Sequence, residues 1–113
     1  MLNTETLTAI LESLNVEIVF TDNDHIIRYM NAEAKKHYHE KLGYSDLIGK
    51  PLFDCHNPES CDMIRALYKR LQQGEDVISV SSEDNTRYSI VAVRDENRKL
   101  LGYYERNEKI ENT

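Results

Sequence analysis

The sequence predicts an α+β fold, an antiparallel sheet accompanied by helices, and two observations predict it. Apolar residues recur at helical spacing near the start and again between residues 58 and 73, whereas the last third alternates as three strand segments. The links between those strands, "EDN" and "DENR", leave no room for a helix, so neighbouring strands must run antiparallel. At 113 residues and 40% hydrophobic, the chain is the size of one domain that buries a core without staples.

The elements follow in order. Leu7, Ile10, Leu11 and Leu14 form one apolar stripe on a helix beginning at Asn3 or Thr4. "VEIVFT" puts Val16, Ile18 and Phe20 on one side of a strand, "DNDH" is a turn by composition, and "IIRYMN" supplies the second strand of a hairpin. Asn31 stands where a cap belongs, and "AEAKKHYHEKLGY" continues as a short helix with its break at Gly43. Gly49 and Pro51 mark the next loop. Asn57 followed by Pro58 is a strong helix start, with Glu59 favourable at the positive end of the helix dipole. Cys61, Ile64, Leu67, Tyr68 and Leu71 then repeat at helical spacing until Gly74, which puts Cys61 in the core as a small apolar side chain. "DVISVSS", "TRYSIVAVR" and "KLLGYYERNE" complete the strands, and residues 109–113 read as a frayed tail.

Composition excludes several classes. Acidic residues outnumber basic ones, 20 against 14, and the formal net charge of -6 disfavours direct nucleic-acid binding in the absence of a clustered basic face. The start is too polar for a signal peptide and no apolar run spans a membrane, so the expectation is a cytoplasmic chain whose Cys55 and Cys61 are thiols. Paired carboxylates, a Gly-rich phosphate loop and a Ser-His-Asp order are not discernible, and adjacent Cys55 and His56 make a poor nucleophile and base pair, so no enzyme is expected.

The order of elements, with the segments "VFTDNDHIIRYMNAEA", "LGYSDLIGKPLFD" and "SIVAVRDENRKLLGYYE", resembles the PAS domain family over residues 5 to 108. The matching features are Asp22 entering the first turn, the Ile26 and Ile27 pair, Asn31, Gly49 and Gly102; Arg98 or its neighbour replaces a common turn glycine. The resemblance implies a five-stranded antiparallel sheet of order 2-1-5-4-3, helices over one face, and a pocket between sheet and long helix. It divides the chain into an N-terminal dimerisation helix, 1–15, and the PAS domain proper, 16–108. It also implies a sensor or interaction module, with any kinase, cyclase or DNA-binding output elsewhere.

Pocket occupants differ in the residues they need. Light-sensing flavin domains carry a cysteine followed by Arg-Phe-Leu-Gln, and here Cys55 precedes His56 and Asn57. Haem takes an imidazole or thiolate ligand, for which His56 and Cys55 are the candidates. More narrowly, Cys55, His56, Pro58 and Ser60 match a Cys-His-x-Pro-x-Ser sequence of a PAS subgroup found beside hemerythrin-like domains. The plainer alternative packs Cys55 in the core and ties His56 to a nearby backbone group. Zinc would need Cys55, His56 and Cys61 with help from His37 or His39, a spacing wider than structural zinc sites use. Met63, Leu67 and Ile90 are expected as pocket wall, and strand tyrosines, Tyr29 and Tyr88 among them, as polar contacts. The partners expected are a small-molecule ligand or haem and a second copy through the N-terminal helix, with a ligand-free dimerisation module as the alternative.

Overall fold

Asparagine opens each α-helix among the described residues. In the computed structural model these are residues 3–41, 46–81 and 85–109, less the side chains of His39, Glu40, Lys41, Cys55, Ser81 and Lys109. Asn3, Asn31 and Asn57 hold extended backbone while their side-chain oxygens accept from Thr6, Ala34 and Ser60 N–H at 2.8, 3.0 and 2.8 Å, satisfying donors that a helix start leaves open. The helices are α1 (Thr4–Ser13), α2 (Ala32–Lys35) and α3 (Pro58–Gln72). The turn widens after α2 into a π-helical segment, Lys36–Lys41, and a 3-10 turn, Leu52–Cys55, leads into α3; neither was legible in the sequence. The expected break at Gly43 lies outside the described residues, as does the tail beyond Lys109.

Strands β1 (Glu17–Asp22), β2 (Ile27–Met30), β3 (Val77–Ser81), β4 (Thr86–Arg94) and β5 (Leu100–Lys109) form one antiparallel sheet of order β2-β1-β5-β4-β3, the order that the family resemblance implies. Asp22 builds the first turn, its carboxylate accepting from Asp24 N and Ile26 N at 2.9 and 3.1 Å and from Arg28 Nε at 2.7 Å. Arg98, where a turn glycine was expected, takes the left-handed conformation at φ 67, and its guanidinium reaches Asp76 at 2.9 and 3.0 Å. Gly102 has no such latitude: at φ +154 a Cβ would stand 2.3 Å from the Thr21 carbonyl oxygen.

Register fixes the inner face. Ile78, Ile90, Glu105, Val19 and Met30 line up across the five strands, and Ile64, Leu67 and Leu71 of α3 pack over them in the core. α1 stands apart from that core. Leu7, Ile10, Leu11 and Leu14 are exposed, while Glu12 accepts from the Tyr29 hydroxyl at 2.6 Å and the Leu11 carbonyl accepts from Asn31 Nδ2 at 3.2 Å.

Two substitutions test this framework by urea denaturation. Asn31→Ala strands a helix start and several buried partners, and we expect a loss of about 3 kcal/mol. Gly102→Ala should cost at least about 2 kcal/mol through the backbone clash, whereas alanine at solvent-facing Arg87 should change stability little.

Candidate functional site

Residues 60, 63 and 64 fall on one face of a helix, and residues 103, 105 and 107 on one face of a strand. Where those faces meet, Ser60, Met63 and Ile64 of α3, His56 just before it, Tyr88 of β4, Glu105 and Asn107 of β5, and Tyr38 of the π-helical segment enclose a cavity of about 210 Å³. Glu105 is the unusual member. Only 2% exposed, it sits between Ile90 and Val19 in an otherwise apolar row. Tyr88 pairs with Asn107 in register, so its hydroxyl reaches diagonally to donate to Glu105 Oε1 at 3.0 Å.

Burial pushes the Glu105 carboxyl above the ordinary glutamate range, and the Glu17 carboxylate adds to the rise; His56 and the Tyr88 hydrogen bond oppose it without cancelling it. The Tyr88 phenol is raised as well, by burial first and then by Glu105. Both groups therefore favour their neutral forms, which lets the tyrosine donate and the acid keep its proton. His56 Nδ1 lies 3.0 Å from the Leu52 carbonyl oxygen, and since a carbonyl only accepts, that nitrogen carries a hydrogen. This contact pins the loop before α3 to the 3-10 turn.

The other end of the space beneath α3 is filled. His25 Nδ1 and the Tyr103 hydroxyl are 2.8 Å apart, and the imidazole packs edge-on to Tyr68 and tilted against Phe53 and Tyr103, at centroid distances of 4.7, 4.9 and 5.8 Å. Burial, then Arg65, pushes the His25 pKa down, so the neutral ring is favoured inside this cluster. The sequence placed His25 only in a turn; its backbone there is left-handed, at φ 63. A second, more open cavity of about 490 Å³ adjoins the first at Asn107 and is lined by Asn15, Val16, Glu17, Glu33 and Glu108.

A family model of the PAS domain matches residues 7–110. The chain belongs to that family. The C-terminal domain of a Streptococcus mutans protein is similar at 23% identity and TM-score 0.77, over 96% of this chain and 85% of that one. The PAS domain of a Colwellia psychrerythraea protein is similar at 20% identity and TM-score 0.71, over 94% and 95%. A sensory box sensor histidine kinase from Vibrio cholerae gives 15% identity and TM-score 0.69, over 94% and 90%. No curated protein matches this PAS domain.

Of the residues singled out in the sequence, His56, Met63 and Tyr88 come together at the cavity of this PAS domain. Leu67 and Ile90 are buried in the core without lining it. Tyr29 corrects an expectation: paired with Phe20, it faces away from the Val19 and Met30 side and binds Glu12, so it is no pocket contact. The Cys55 side chain lies outside the described residues, as does that of His39. Cys61 is buried, its thiol 3.5 Å from the Phe53 carbonyl oxygen, and among the described residues no group of three His, Cys, Asp or Glu side chains could hold a metal. At about 210 Å³ the space is smaller than the roughly 300–1,000 Å³ of ordinary ligand sites.

Glu105 makes stability pH-dependent. Because the folded carboxyl holds its proton more tightly than the unfolded one, its stabilising contribution is complete below pH about 4.5 and is lost as pH rises through the folded value. Glu105→Gln should therefore be more stable than the parent at neutral pH, with the difference shrinking towards pH 4 on a series of urea melts at about pH 4 to 8.

Proposed function

We propose that this PAS domain is a sensory module that takes a small polar ligand in the cavity between α3 and the sheet and passes the event to its N-terminal helix. The observation that carries the reading is Glu105, a buried carboxyl hydrogen-bonded to Tyr88 and lining a cavity that His56, Ser60, Asn107 and Tyr38 also border. Burying such a group costs stability with no return to packing, which is the pattern expected of binding sites. The Cys-His-x-Pro-x-Ser run contributes His56 and Ser60 to that lining. Haem is the less favoured occupant on grounds of volume.

Output through a second copy is supported by α1. Three large apolar side chains on the ten-residue α1, Leu7 at 48% and Ile10 at 47% among them, and Leu14 at its C-cap are exposed, and a C2 pairing would cover them. A second reading, a ligand-free dimerisation module, is favoured by the aromatic cluster around His25, which already fills one end of the pocket.

A fragment screen read by amide NMR shifts separates the two. Saturable shifts at His56, Tyr88, Glu105 and Asn107 are expected from some polar fragments; silence there across the screen would leave only the dimerisation module. Titration with haem should give no saturable Soret band, whereas a band abolished by His56→Ala or Cys55→Ala would restore haem as the occupant. In sedimentation equilibrium the mass should approach twice 13.2 kDa and fall to the monomer in Ile10→Asp; a parent that stays monomeric at all concentrations would refute the pairing.

A further inference from the structure

The sign of charge around the two adjoining cavities restricts what they admit. Neither lining includes a lysine or arginine among the described residues, and His56 is the only cationic candidate. Glu105 stands at the first cavity, and across Asn107 the second presents Glu33 together with Glu17, which pairs with His37, and Glu108, which lies 3.9 and 3.7 Å from Arg87 and Arg106. A carboxylate or phosphate ligand would meet a buried carboxyl, with the His56 imidazole rather than a lysine or arginine on the lining to offset it. An organic cation instead meets a buried acid that can ionise against it.

Resting on the sensory reading above, we propose that the ligand is a small organic cation with N–H donors, an alkylammonium or a guanidinium. Glu105 pairs with the cationic head as a carboxylate, and Asn107 lies at the junction between the two cavities. The Tyr88 hydroxyl keeps its bond to one Glu105 oxygen and orients the carboxylate for the second. Met63 and Ile64 offer an apolar wall to a short carbon chain. The volume of about 210 Å³ equals the liquid share of about seven waters, which limits the buried part to roughly ten non-hydrogen atoms. On binding, the Glu105 proton is released to solvent and the ammonium or guanidinium takes its place as the positive partner.

The test compares n-butylammonium and agmatine with n-butanol and n-butyrate, followed by amide NMR shifts on the full chain. Both cations should shift Tyr88, Glu105 and Asn107 saturably, the alcohol and the acid should not, and Glu105→Gln should weaken the cations by at least about tenfold. Equal binding by butanol or butyrate at these residues, or cation binding indifferent to Glu105→Gln, overturns the inference and leaves the sensory reading standing. No shift from either cation also overturns it, and the sensory reading then rests on the wider fragment screen alone.

Discussion

One buried amide joins the parts that the rest of the molecule depends on. Asn31 is fully buried, and its side chain accepts from Ile18 N and Ala34 N while donating to the Leu11 and Val16 carbonyls. Its hydrogen-bonding capacity is used on both atoms, so no other side chain of similar size can replace it. Through it the end of α1, the start of β1 and the cap of α2 become one unit. α2 runs on into the π-helical segment that brings Tyr38 to the cavity, and Leu11 belongs to the exposed stripe of α1.

Glu105 is the complementary constraint, on function rather than folding. A leucine there would extend the row of Ile78, Ile90, Val19 and Met30 and add apolar burial. The chain instead buries an acid that accepts from the Tyr88 hydroxyl and lies within the field of His56. The His25 cluster shows the opposite solution at the other end of the same space, where His25, Phe53, Tyr68 and Tyr103 fill the room with their own rings. The pocket is thus divided into a packed half and a polar half, and only the polar half has chemistry to offer a ligand.

Much of the fold was legible because local signals carried it. Asparagine caps, the Asn57 and Pro58 pair, and turns too short for helices fixed the element order, and the family resemblance supplied the strand order. The site was less legible. "YYERNE" contains the alternation that puts Tyr103, Glu105 and Asn107 on one face, yet only the register shows which side is inside. Tyr29 illustrates the same limit, since a strand face cannot be assigned until its partner Phe20 is known. The π-helical widening at Lys36–Lys41 and the positive φ of His25 have no sequence signature of comparable strength, so Tyr38 and the His25 cluster were missed.

The most direct measurement is the ionisation of Glu105 itself, followed by the carboxyl carbon resonance of glutamate-labelled protein and assigned with Glu105→Gln. The account predicts a midpoint clearly above the ordinary glutamate value of about 4.5. A midpoint at or below that value would mean a solvated carboxylate, and would contradict both the buried acid and the cation site built upon it.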